Sequence, residues 1–262
     1  MILFGPAAEP PGRFDRETRP MEDILRLEGV TKSFGAVKVA DGMSYSVPAG
    51  QALGVVGPNG AGKTSMFNLI TGALRPDGGR IVFGGRDVTG DAAAARCRRG
   101  MARSFQVPRP FGGMTVFENA MIAATQGADM RGSEAESHCL EVLEDTGLLA
   151  KANVLAGKLA LLDRKRLELT RALCARPRLL LLDEIAGGLT DEECGSLIAT
   201  IGGIRERGVT IIWIEHVVHA LMAVVDRLIV IDFGRKISEG DPESVMASRA
   251  VREIYLGIEA DA

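Results

Sequence analysis

Ala52-Leu-Gly-Val-Val-Gly57-Pro58-Asn59-Gly60-Ala61-Gly62-Lys63-Thr64-Ser65 is the stretch that decides the fold. From Gly57 to Thr64 it follows G-x-x-x-x-G-K-[ST], in which glycines let backbone N–H groups close round phosphate oxygens at a helix N-terminus. The apolar run Ala52–Val56 before it reads as a buried strand. Ser65-Met-Phe-Asn-Leu-Ile70 after it has apolar positions that suit a buried helix. Strand, loop and helix in that order are the context a phosphate loop needs, and they argue against a purely structural glycine turn. Lys63 would then reach β- and γ-phosphates, and Thr64 would hold Mg²⁺. The candidate nucleotide-binding set is Gly57, Pro58, Asn59, Gly60, Ala61, Gly62, Lys63, Thr64 and Ser65.

Further along, Arg178-Leu-Leu-Leu-Leu-Asp183-Glu184 supplies carboxylates for such a loop. A buried strand ending in an acid can present Asp183 to the metal, and Glu184, one residue beyond, can polarise an attacking water as general base. Taken alone, the pair would be a solvated turn after a core strand. Beside a phosphate loop, the catalytic reading prevails.

The rest of the chain fits around these motifs. Residues Ile24–Val30 and Met43–Val47 form an early β region punctuated by Gly and Pro. Residues 178–182, 209–214 and 227–233 are near-continuous apolar runs, expected of strands covered on both faces, and 191–207 and 217–225 carry helical spacing between them. Between about 103 and 173 the pattern is helical, with candidate helices at 115–125, 134–146 and 164–174. The expected fold is an α/β phosphate-loop ATPase core, a mostly parallel sheet with an antiparallel β portion, plus an inserted helical subdomain.

Composition narrows the partners. A formal charge of −3 over 262 residues argues against a nucleic-acid-binding surface, so no nucleic-acid partner is expected. Cys97, Cys139, Cys174 and Cys194 are scattered, which indicates neither a zinc site nor a disulfide framework and fits a reducing cytosol. No apolar stretch reaches the ~20 residues that span a bilayer, because Asp183 and Glu184, or Asp226 and Arg227, interrupt the most hydrophobic runs. Residues 1–22, rich in proline and scattered charge, read as a flexible tail before a domain at 23–262.

From about Ile24 to Ile258, the order of motifs resembles an ATP-binding cassette of the ABC transporter superfamily. The resemblance implies further site residues. Phe34, in Thr31-Lys-Ser-Phe34-Gly, stands where such cassettes place an aromatic that stacks on adenine; a core phenylalanine is the competing reading. Gln106, in Arg103-Ser-Phe-Gln106, matches the glutamine that approaches magnesium and the attacking water. His216, in Trp213-Ile-Glu-His216, resembles the switch histidine that steadies the γ-phosphate. The implied catalytic set is therefore Glu184, His216 and Gln106, the metal set is Thr64, Gln106 and Asp183, and the cofactors are ATP and Mg²⁺. Arg103-Ser-Phe-Gln, Met114-Thr-Val-Phe-Glu-Asn119, Arg166-Leu-Glu-Leu and Tyr255-Leu-Gly are most similar to cassettes of branched-chain amino-acid uptake systems. That implies an ATPase subunit bound peripherally at the cytoplasmic face of the inner membrane. Its partners would be transmembrane permease subunits, a second cassette and an extracytoplasmic substrate-binding protein.

One motif departs from the family. The signature, L-S-G-G-Q in most cassettes, reads Leu159-Ala160-Leu161-Leu162-Asp163 here. Such loops bind the γ-phosphate held by the partner's phosphate loop, and losing the serine removes a hydrogen bond to a charged group worth ~1.5 to 3 kcal/mol. The resemblance thus implies an asymmetric pair, with a different partner cassette carrying the intact signature. Ile185, where proline is common, and Thr190, where aspartate is common, touch the same interface. Arg96, Arg98, Arg99, Arg103 and Arg109 lie where permease helices would dock, and most such charges are expected to be solvated. A soluble ABC ATPase of nucleic-acid repair or translation, and a regulatory cassette with little turnover, are the competing functions. The first lacks its usual second cassette or coiled-coil insertion here, and intact base and switch candidates oppose the second.

Overall fold

A computed structural model describes residues 22–249 and 251. The expected tail, apart from its last residue, and Tyr255-Leu-Gly lie outside the described residues. Strands β1 (Asp23–Phe34) and β2 (Val37–Pro48) form an antiparallel hairpin. In β1, Leu25, Leu27 and Val30 are buried while Arg26 and Glu28 face out, so one side packs and the other is solvated. After β3 (Ala52–Val56) and helix α1 (Lys63–Thr71), the chain returns as β4 (Gly78–Phe83) and the short β5 (Arg86–Asp87). These complete a four-stranded sheet of order β2-β1-β4-β5.

The second sheet is built by crossovers. Helix α2 (Ala93–Arg98) leads to β6 (Met101–Arg103), and helices α3 (Val116–Gly127), α4 (Gly132–Asp145) and α5 (Leu161–Cys174) precede β7 (Leu179–Asp183). Helix α6 (Asp191–Glu206), β8 (Thr210–Ile214), α7 (Val218–Met222), β9 (Arg227–Asp232), β10 (Arg235–Gly240) and α8 (Pro242–Ala247) follow. The strand order is β10-β9-β3-β8-β7-β6, parallel except for the antiparallel β10. Every residue of β3, β7 and β8 is buried, which accounts for their near-continuous apolar sequences, broken only by Asp183 at the end of β7 and Thr210 at the start of β8. Leu180 and Leu182 face a core shared with α3 and α6, whereas Leu179 and Leu181 face one shared with α1 and the antiparallel sheet. Each such leucine contributes roughly 1.5 to 3 kcal/mol by leaving water.

Helices α3 to α5 share a small core of their own, Val116, Leu143, Leu148, Ala156, Leu159 and Leu167. Thr115 and Glu118 start α3 with reciprocal capping hydrogen bonds. Two expectations need correction. Helix α5 begins at Leu161, not Arg164, because without the signature glycines Leu161, Leu162 and Asp163 are free to form its first turn. Arg96 is not a solvated charge: it is buried and donates to the carbonyl oxygens of Leu69 and Ile70 at 2.7 Å each, and to those of Thr89 and Asp91 at 3.0 and 3.1 Å. It satisfies the Ile70 carbonyl at the C-terminal end of α1 and adds a donor to that of Leu69, which also accepts from Gly72 N–H at 3.3 Å.

Candidate functional site

Register brings the motifs together. Val55 of β3 and Asp183 of β7 both pair with Ile214 of β8, so three parallel strands end at one level. Their C-terminal ends release the phosphate loop, the Asp183-Glu184 pair and Glu215-His216 side by side, the edge where open α/β sheets bind ligands.

The loop is shaped by close approach. Gly62 has φ 100°, and a Cβ there would lie 2.4 Å from the Val39 carbonyl oxygen. Helix α1 has no side-chain N-cap and no acid in its first turn, which leaves its N-terminal N–H groups to an anion. Asn59 and Gly60 are exposed at the loop tip, the Pro58 carbonyl accepts from Ala61 N–H at 3.2 Å, and the Ala61 carbonyl accepts from Gly234 N–H at 2.9 Å. Lys63 is buried and its Nζ donates to the carbonyl oxygens of Gly57 and Pro58 at 2.6 and 2.9 Å. Burial draws its pKa down, while the charges of Glu184 and Asp183 oppose that fall. Thr64 is exposed and Ser65 half-buried.

Asp183 is buried, and burial raises its pKa against the hydrogen bond and charge of Arg103. Its Oδ2 accepts from Arg103 Nη2 at 2.5 Å, and its Oδ1 is buried with no hydrogen-bond partner among the described residues. Glu184 adopts a left-handed backbone at φ 47°, a conformation that costs a non-glycine residue about 1 kcal/mol. Its N–H donates to the Ile214 carbonyl at 2.8 Å, which ties the turn to the end of β8. Gln106 Nε2 donates to Glu184 Oε2 at 2.5 Å, and His216 Nε2 lies 2.9 Å from Oε1. The structure therefore gathers Glu184, Gln106 and His216 into one cluster, with Asp183 and Lys63 within electrostatic reach. Phe34 is on the antiparallel sheet, 54% exposed with Lys32 Nζ 5.5 Å from its ring centroid, so it is not a core residue.

Two participants went unread in the sequence, and a third was read only as a docking charge. Glu215, 1% exposed, accepts from Ala186 N–H at 2.6 Å and His216 N–H at 3.2 Å. Burial pushes its pKa up to about 7, the two N–H groups and Lys165 oppose the rise, and Glu184 adds to it. Lys165 of α5 is buried too, its pKa lowered by burial and supported by the charges of Glu215 and Glu184. Arg103, the third, holds Asp183 as described above. The available signals were a lone acid directly after an apolar strand and an arginine directly after the short apolar run Met101-Ala102. At the degenerate signature, Ala160 caps α5 without a side-chain hydrogen bond, Leu161 is exposed, and Asp163 pairs with Lys151 and with Arg166.

A mononucleotide-binding core with a phosphate loop, an Asp-Glu pair and a histidine at the ends of adjacent parallel strands defines a class, the ATP-binding cassettes. The ABC transporter family matches residues 40–187, more than half of the chain, and the chain belongs to it. Residues 235–261 match a second family, described as branched-chain amino acid ATP-binding cassette transporter. The chain is 36% identical over 249 residues to the high-affinity branched-chain amino acid transport ATP-binding protein BraF of Pseudomonas aeruginosa, covering 89% of this chain and 98% of BraF. LivG of Escherichia coli K12, with the same description, is 33% identical over 251 residues, covering 90% and 98%. Among solved structures, the ADP conformation of an ATP-binding cassette of an ABC transporter superposes with a TM-score of 0.82 at 30% identity, covering 90% of this chain and all of the other. The protein is the ATP-hydrolysing subunit of an ABC transporter, as its motif order implied.

Proposed function

We propose that the chain energises uptake of branched-chain or related amino acids, using Glu184 as the base in hydrolysis of Mg-ATP. The observation that carries this is the Glu184 carboxylate, held between Gln106 and His216 at the edge that also bears the phosphate loop. Lys63 exchanges the carbonyls of Gly57 and Pro58 for phosphate oxygens, and Phe34 stacks on the adenine. Glu184 orients and polarises the attacking water, Gln106 fixes that carboxylate, and His216 passes from it to the γ-phosphate as the site closes. The residues also fit a magnesium ion: Asp183 Oδ1 is buried and unpartnered among the described residues, and with the Thr64 hydroxyl and the Gln106 amide it makes the short set of hard donors that a phosphate-shared magnesium takes. When bound, the ion neutralises charge on the β- and γ-phosphate oxygens.

Dimerisation with a second cassette would sandwich ATP, and permease subunits would convert closure into alternating access. A groove of ≈ 540 Å³ between α1 and β6 on one side and α3 and α5 on the other, rimmed by Arg98, Phe105 and Arg171, is the surface we assign to the permease. Ala160 and Leu162 in the signature favour a partner cassette of a different chain, with its serine and glycines intact. An extracytoplasmic binding protein would select the amino acid, following the transport role described for BraF and LivG. Among the described residues no helix is long and apolar enough to cross a membrane, which is compatible with peripheral attachment at the cytoplasmic face of the inner membrane. The family and its transport relatives do not favour nucleic-acid repair or translation.

Tagging the chain in its native cell and solubilising membranes in mild detergent tests this assembly. Recovery of permease subunits and a second cassette with an intact signature is expected. Recovery of soluble partners alone would overturn the transporter reading.

A further inference from the structure

Arg103 ends β6 and precedes Gln106 by three residues. Its side chain is 8% exposed, and its terminal nitrogens are divided between two elements. Nη1 donates to Asn68 Oδ1 of α1 at 2.6 Å, and Nη2 donates to Asp183 Oδ2 at 2.5 Å. The guanidinium carbon lies 5.4 and 5.3 Å from the ring centroids of Phe67 and Phe105. Arg103, Asn68 and Phe105 also line the ≈ 540 Å³ groove. A wall residue of the groove is thus bonded to the carboxylate assigned to magnesium.

The division of Asp183 is specific. One oxygen is taken by a charge-assisted hydrogen bond, and the other is buried and unpartnered among the described residues. A carboxylate without Arg103 would keep the more distant charge of Lys63 but lose its hydrogen-bonded countercharge and its fixed orientation, in a site too buried for water to replace them. Lysine cannot substitute, because a single ammonium does not reproduce a planar fork reaching Asn68 and Asp183 together. Phe105, 48% exposed, covers the guanidinium and forms part of the groove lining, so a segment seated in the groove meets Arg103 or the ring stacked on it.

We propose that Arg103 is a positioning residue that holds Asp183 ready for magnesium and makes metal affinity respond to what fills the groove. The second half rests on the docking reading given above; the first does not. Both are tested with the full chain as wild type, Arg103→Lys and Arg103→Gln, by measuring the affinity of a fluorescent ADP analogue in EDTA and in saturating Mg²⁺, and Mn²⁺ binding by electron paramagnetic resonance with ADP present. Affinity in EDTA should stay within about twofold, while the gain from Mg²⁺ and the Mn²⁺ affinity should fall about tenfold, the scale of one lost hydrogen bond to a charged group. Should these variants misfold, Asn68→Ala, which removes the other anchor of the same side chain, should give a smaller loss in the same direction. An undiminished gain from Mg²⁺ in variants that still bind ADP in EDTA would overturn the positioning role. In the assembled transporter, the gain from Mg²⁺ should differ from that of the free wild-type chain, and the difference should vanish in Arg103→Lys. Its persistence in that variant would overturn the link to the groove. If no permease subunit co-purifies, the docking reading fails by itself, and the free-chain comparison still decides whether Arg103 positions Asp183.

Discussion

Glu184 and Glu215 are carboxylates at the ends of neighbouring strands, yet their surroundings assign them opposite tasks. Glu184 is partly exposed and faces Gln106 and His216, while Glu215 is buried and braces the backbone of Ala186 and His216. Because the folded pKa of Glu215 is raised from 4.5 to about 7, the fold favours its protonated form. Its contribution to stability is therefore full below the unfolded pKa and is lost as pH rises through about 7, an effect of up to about 3 kcal/mol. Glu215→Gln, which mimics the neutral acid, should remove that loss: relative to wild type it should be more stable at pH 8 than at pH 5, as read from urea midpoints. An identical pH dependence in both proteins would contradict the raised pKa. At Gly62, substitution by Ala must push the Val39 carbonyl aside from 2.4 Å and hold a strained φ of 100°. ATP binding, measured by calorimetry, should fall about five- to thirtyfold if the strain costs 1 to 2 kcal/mol. Lys63, Asp183 and Glu184 were legible because motif spacing marks them, and His216 only through the family resemblance. Arg103, Glu215 and Lys165 were not, because each acts through a partner distant in sequence.

At the scale of elements, length and apolar continuity governed what could be read. The strands β3, β7, β8 and β9 stand out because they are buried on both faces, whereas β5 and β6 have two and three residues and offer no period to detect. The exposed edge strand β10, with charged and polar residues around Ile237, lacks an apolar face. The start of α5 was misplaced because the signature was expected as a loop. Ala160→Ser would give that helix a capping hydroxyl able to accept from the N–H of Asp163, and should raise stability by about 1 kcal/mol, measured as a higher Tm. No change would mean that the first turn is already satisfied. Arg96→Ala should have the opposite sign and a larger size: it removes the hydrogen bonds of a buried guanidinium to the carbonyls of Leu69, Ile70, Thr89 and Asp91 and should cost about 3 kcal/mol in urea unfolding.

For the whole molecule, the alternation of strands and helices announced a parallel α/β core, but the order β10-β9-β3-β8-β7-β6 is set by crossovers that no local pattern encodes. The site is legible at this scale only as motif order; its geometry depends on β3, β7 and β8 ending at one level. The same scale carries the proposed functional asymmetry. This chain holds a complete phosphate loop and carboxylate cluster, while Ala160 and Leu162 stand where the signature's serine and second glycine are expected, in the surface proposed to face a partner's ATP. Alone, it should hydrolyse ATP slowly and without cooperativity, and a partner cassette with an intact signature should accelerate it. A homodimer matching the mixed complex in rate and cooperativity would contradict that asymmetry.

The most direct measurement is ATP turnover by the assembled transporter carrying Glu184→Gln in this chain alone, compared with wild type at equal ATP occupancy. Turnover should fall by at least about a hundredfold, the scale of a lost general base, while ATP still binds. Turnover that survives within a few-fold of wild type would place the working base elsewhere and contradict the assignment of hydrolysis to the Glu184, Gln106 and His216 cluster.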